Sequence, residues 1–219
     1  MAGLIIYGGL ARGRFRAGQS DVDLVVLLRE TSVAALSTIA PALRFAWRAL
    51  RDEPFILSPD EVPRLALLFP TKLLDIQAHH VVLFGEDPFI AVSASREEIR
   101  YRTEQELRNL GLRLRRRFVA VADDEQGQVQ AIRAVIRPLA IQLGWLLRVS
   151  GHEVQASDQS ASIFGEAAKA WKLDGELLSQ LVAMRTDGGT TGDSRTLFDR
   201  LLKTIARVAE IAQELKVMP

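Results

Sequence analysis

Leu4-Ile5-Ile6-Tyr7-Gly8-Gly9-Leu10-Ala11-Arg12-Gly13, followed after a short loop by Ser20-Asp21-Val22-Asp23-Leu24-Val25-Val26-Leu27-Leu28, is the stretch on which the fold turns. Four apolar residues that stop at a glycine pair suit a buried strand entering a tight turn. The second run is apolar and β-branched, with charge only at its start and just past its end, which predicts a second strand over 21–28. Side chains alternate faces along a strand, so Asp21 and Asp23 set two carboxylates on one side of the sheet. Left alone, they would repel and one pKa would rise; a divalent cation between them removes the conflict. Mg²⁺ takes one or two protein carboxylates together with phosphate oxygens and waters, and a turn without side chains lets backbone N–H groups approach phosphate closely. Arg12 or Arg14 can neutralise part of the phosphate charge. Together these residues point to phosphoryl or nucleotidyl transfer.

Working outward, Thr31 or Ser32 can cap a helix reaching about Arg51, because Val33, Leu36, Ile39 or Ala40, Leu43 and Trp47 recur at helical spacing. Pro41 is expected to bend or divide it. Phe55–Leu57, between Pro54 and Pro59, reads as a third short strand. Leu73 to Phe84 offers a fourth, with room for a fifth, before the Gly85-Glu86-Asp87-Pro88 turn. Beyond Pro88 the pattern is helical. Ser95 with Glu98 is a capping-box signature opening a helix to about Ala122, and further helices are expected over 128–150, 158–172, 175–185 and 194–216. Pro138 should kink the second of these, and Gly188, Gly189 and Gly192 mark a loop before the last. The expected fold is α+β: a small mixed-sheet domain over 1–90 followed by an all-α helical bundle domain over 91–219.

The chain has 219 residues, 48% of them hydrophobic, which is enough for two small domains with their own cores. Its 28 basic and 27 acidic residues give a net charge of +1, far from the basic footprint of a general nucleic-acid binder, so polynucleotide partners are not favoured. Charge is −1 over 1–90 (9 basic, 10 acidic) and +2 over 91–219 (19 basic, 17 acidic), so neither half is an electrostatic outlier. Without cysteine there is no disulfide framework, thiolate metal site or cysteine nucleophile, and a reducing compartment, by default the cytoplasm, is expected. Gly8 and Gly9 interrupt the opening apolar run, which argues against a signal peptide, and no apolar stretch approaches the roughly 20 residues of a membrane span. A soluble protein without membrane partners is expected.

The motif Gly8-Gly9-Leu10-Ala11-Arg12-Gly13 with Ser20-Asp21-Val22-Asp23-Leu24 resembles the signature of the DNA polymerase beta-like nucleotidyltransferase superfamily, especially small bacterial members of the antibiotic and antitoxin types. The resemblance covers residues 4 to about 90, and its implications are these. Asp21 and Asp23 would bind Mg²⁺, and Gly8, Gly9, Arg12 and Ser20 would hold the triphosphate. A third carboxylate on a later strand, for which Asp75 is the best candidate, would bind a second metal or act as base. The implied reaction moves a nucleoside monophosphate from a nucleoside triphosphate, ATP first among them, to a hydroxyl of a small-molecule or protein acceptor and releases pyrophosphate. Gly9 stands where the family also has Ser, and the family's usual helix before the first strand has no counterpart here. These departures support an alternative of another class: a catalytically inactive nucleotide-binding regulatory or protein-interaction module on the same fold.

Other notable residues have plainer readings. Lys72 could reach a phosphate. His79 and His80 are adjacent on an expected strand and so face opposite ways, which argues against zinc. Arg113, Arg115, Arg116 and Arg117 interleave with Leu112, Leu114 and Phe118 as the solvated face of an amphipathic helix. The glycines of 187–192 lack the Gly-Lys-Ser/Thr ending of a phosphate loop.

Overall fold

A computed structural model describes residues 1–13, 22–50, 54–154, 160–186 and 193–216. Strands β1 (Gly3–Tyr7), β2 (Asp23–Leu27), β3 (Phe55–Leu57) and β4 (His80–Phe84) form one sheet in the order β3-β2-β1-β4. β1 is antiparallel to both β2 and β4, whereas β2 and β3 run parallel, so the sheet is mixed. Among the described residues, four helices belong to this part: α1 (Gly8–Ala11), α2 (Val33–Leu50), α3 (Val62–Leu68) and α4 (Pro70–Ala78). Ile5, Val25, Leu27 and Leu57 lie on one face of the sheet and pack with Val62 and Ala66 of α3 and Leu73 and Ile76 of α4. Burying such side chains is worth about 1.5–3 kcal/mol each, and this layer holds the strands in place.

Several expectations are corrected. The glycine turn after β1 is wound into one helical turn, α1, whose end is closed by the Arg12 N–H donating to the Gly8 carbonyl at 3.1 Å. α2 runs unbroken through Pro41; that residue and Ser37, whose carbonyl loses its helical donor, are both exposed, so water can satisfy it. Its start is capped by Ser32 Oγ, which accepts from the Ala35 N–H at 3.3 Å. Residues 73–78, part of the run read as strand, belong to α4: Pro70 occupies its first turn, where a missing N–H costs nothing, and Leu73 and Ile76 bury one helical stripe. One strand, β4, remains of the two for which Leu73–Phe84 had room. α3 was not anticipated. It follows a 3₁₀ turn over Pro59–Glu61 whose capping box joins Ser58 and Glu61, the Ser58 N–H donating to Glu61 Oε2 at 2.7 Å.

The segment after β4 returns to the same core. Phe89 and Val92 are buried there, the Phe89 N–H donates to Asp87 Oδ1 at 2.9 Å, and Gln77 Nε2 donates to the carbonyls of Phe89 and Ile90. His80 Nε2 stands 2.9 Å from Asp87 Oδ2, tying the segment to the first residue of β4.

The chain divides into two compact units, Met1–Ala94 and Ser95–Pro219. The second contains α5 (Arg96–Ala120), α6 (Glu125–Val149), α7 (Ser160–Trp171), α8 (Gly175–Thr186) and α9 (Ser194–Glu214). The capping box at Ser95 and Glu98 is formed as its spacing predicts, with bonds of 2.7 and 3.2 Å. The Ser95 N–H, donating to the Glu98 carboxylate, holds that carboxyl below its ordinary pKa. α6 passes through Pro138 without interruption. Leu107 and Leu114 of α5, Ile132, Leu139 and Leu143 of α6, and Leu201 and Val208 of α9 are buried, so this part is a helical bundle. No helix among the described residues is long and apolar enough to cross a membrane.

Candidate active site

Asp23 opens β2, and its cross-strand partner is Tyr7, the last residue of β1. Tyr7 is in turn paired with His80 of β4, so one end of the sheet carries His80, Tyr7 and Asp23 side by side. Directly opposed residues of an antiparallel pair share a face. That face is the one α3 and α4 cover, because Asp23, Val25 and Leu27 are two residues apart along β2 and share a side.

The backbone beyond Tyr7 turns back over Asp23. Gly8 has φ +71°, and a Cβ there would stand 2.8 Å from Asp23 Cγ, 3.3 Å from Asp23 Cβ, and nearer still to Oδ2. Glycine is thus required at position 8 for two independent reasons: a left-handed conformation and the space the carboxylate fills. At Gly9 the same test meets nothing within 4 Å, so a serine would fit there.

Arg12 ends α1, and its guanidinium donates through Nη2 to Asp75 Oδ1 of α4. This ion pair spans 63 residues and fastens the turn between β1 and β2 to the helix beneath the sheet. Arg12 Nε is buried and has no hydrogen-bond partner among the described residues. Asp75 is therefore on a helix and not on the strand expected for a third carboxylate, and it is brought to Arg12.

Lys72 precedes Asp75 by three residues on α4 and shares its flank. Its Nζ lies 4.7 Å from the ring centroid of Phe55, the first residue of β3, and 5.7 Å from that of Tyr7. The structure thus gathers Tyr7, Gly8, Arg12, Asp23, Phe55, Lys72 and Asp75. Gly9 follows Gly8 in α1, whereas Ser20 and Asp21, two further expected site residues, and Arg14 lie outside the described residues. Phe55 was missed by the sequence reading; the available signal was an aromatic residue at the start of a predicted strand.

The donor set at this end of the sheet is hard oxygen from carboxylate, flanked by a glycine turn and two cations, which fits Mg²⁺ carried in with a polyphosphate better than a metal cage made by protein alone. No group of three His, Cys, Asp or Glu able to hold a metal occurs among the described residues.

Residues 2–107 match the family model of the nucleotidyltransferase domain. The match over this stretch is consistent with the DNA polymerase beta-like nucleotidyltransferase superfamily. No curated protein and no solved structure matches the chain.

Proposed function

We propose, from the premise that residues 2–107 are a nucleotidyltransferase domain, that the chain moves a nucleoside monophosphate from a nucleoside triphosphate, with ATP the first candidate, to a hydroxyl of a small-molecule or protein acceptor and releases pyrophosphate. The observation that carries this reading is the seat of Asp23: a strand-start carboxylate in contact with a glycine whose missing side chain makes the space. Asp23, with Asp21, would hold Mg²⁺. Domains of this family generally use divalent metals, and such an ion supplies charge neutralisation at the phosphates. Arg12 and the backbone of Gly8 and Gly9 would orient the triphosphate, and Ser20 would add a hydroxyl contact. In the same proposal Asp75, held toward the glycine turn by Arg12, is the third acid and takes the acceptor proton. Positioning and charge neutralisation then provide most of the rate.

Asp23→Asn is expected to lose Mg²⁺-dependent ATP affinity in titration calorimetry while melting like the wild type in metal-free buffer. Asp75→Asn should bind Mg·ATP within a few-fold of wild type and turn over about 10²-fold more slowly, the scale of a lost general base. Equal Mg·ATP affinity in Asp23→Asn would sink the site. The pairing of Asp75 with Arg12 favours a second reading, a nucleotide-binding module without turnover. Pyrophosphate release by the wild type in the presence of small-molecule or protein acceptors separates the two.

A further inference from the structure

We propose that Lys72 is a phosphate-binding residue of this site, its ammonium held over the rings of Tyr7 and Phe55 so that it meets the phosphate chain of the nucleotide on Asp23; the inference rests on the nucleotidyl-transfer reading above. Three observations support it. Lys72 Nζ is placed by aromatic faces, at 4.7 and 5.7 Å from the two centroids, and has no carboxylate partner among the described residues. The acid nearest along its helix flank, Asp75, is already bonded to Arg12. One of the two rings belongs to Tyr7, the cross-strand partner of Asp23, and the other to Phe55, which is paired with Val25 two residues along β2. A cation without a carboxylate partner among the described residues therefore stands on the same sheet face and at the same end as the carboxylate assigned to the metal.

A flexible lysine stem loses much rotamer freedom when its ammonium is fixed. Two aromatic faces restrict it beforehand while leaving N–H donors for another partner, because a ring face attracts the charge without consuming a hydrogen bond. Solvent exposure of the lysine keeps those donors accessible. A polyphosphate bridged to Asp23 through Mg²⁺ is the ligand whose charge and reach suit this arrangement.

The experiment compares full-length wild type, Lys72→Gln, Lys72→Arg and Asp23→Asn by titration with Mg·ATP and with Mg·tripolyphosphate, which has the phosphate chain and no nucleoside. Lys72→Gln is expected to weaken both ligands about tenfold or more, the scale of one lost charge-assisted hydrogen bond. Lys72→Arg should recover most of that loss, and the melting temperature of ligand-free Lys72→Gln should stay close to wild type. Undiminished affinity in Lys72→Gln beside a loss in Asp23→Asn would overturn the role of Lys72 alone. Weakened ATP with unchanged tripolyphosphate binding would also overturn it, since the lysine would then contact the nucleoside. A fall in ligand-free stability that accounts for the whole affinity loss would make Lys72 a strut for Tyr7 and Phe55. Failure of the wild type to bind either ligand would overturn the site assignment together with this inference.

Discussion

Position 8 is where a single atom decides the geometry of the candidate site. Adding a methyl group at Gly8 forces an L residue to φ +71° and drives its Cβ into the Asp23 carboxylate. The first effect costs about 1–2 kcal/mol, and the second must move either Asp23 or the α1 turn. Gly9, one residue on, has a negative φ and empty space where a side chain would begin. Gly8→Ala is therefore expected to melt lower and to lose Mg·ATP affinity, whereas Gly9→Ser should stay within about 0.5 kcal/mol of wild type, as surface substitutions usually do. Parallel melting curves and titrations of the two variants check this; equal behaviour would mean that the turn tolerates a side chain against Asp23. The glycine pair and Asp23 were both legible in the sequence because they are adjacent to strand signals. The partner of Asp75 was not, since an ion pair between residues 63 apart leaves no trace in local spacing.

Between elements, Asp174 shows how the helical part is joined. It stands before α8 and accepts the Leu177 N–H at 3.0 Å, and both its oxygens take N–H bonds of 2.8 Å from Arg200 on α9. The Arg200 guanidinium, and then the Leu177 N–H, hold its carboxyl below the ordinary pKa. A depressed carboxyl stabilises the fold above the unfolded-state pKa of about 3.9, and that contribution disappears as pH falls through the lower folded-state value. With the Asp174 side chain 34% exposed, solvent screens the pair, and about 1 kcal/mol is a reasonable ceiling. Asp174→Asn should thus melt below wild type at pH 7, with the difference closing as pH is lowered below about 4; a gap that persists unchanged there would show that the charge is not its source. Among the elements themselves, helices announced by capping residues were readable, as at Ser32 and Ser95. α4 was mistaken for strand because Leu73-Leu74-Asp75-Ile76 is too short an apolar run to reveal its period; Pro70 at its start was the overlooked sign. The Ser58–Glu61 capping box, the same device as at Ser95, was equally available for α3.

At the scale of the whole chain, the first unit ends later than its last strand. Phe89 is fully buried and Val92 nearly so, both in the core formed by the sheet with α3 and α4. Removing a buried phenylalanine side chain alone costs about 3–5 kcal/mol, a large share of the roughly 5–15 kcal/mol that holds a domain together. A fragment of residues 1–94 should therefore unfold cooperatively, whereas residues 1–86 should give no cooperative transition by circular dichroism. Identical melting of the two fragments would show that the returning segment adds nothing to the core. The same segment bears on transplantation. A chimera that exchanges the helical part for another carrier would keep a working sheet when its junction lies between Val92 and Ser95, while one joined at the Gly85 turn would hand the new carrier an open apolar socket, and the recombinant product would be expected to aggregate even though every strand had been retained.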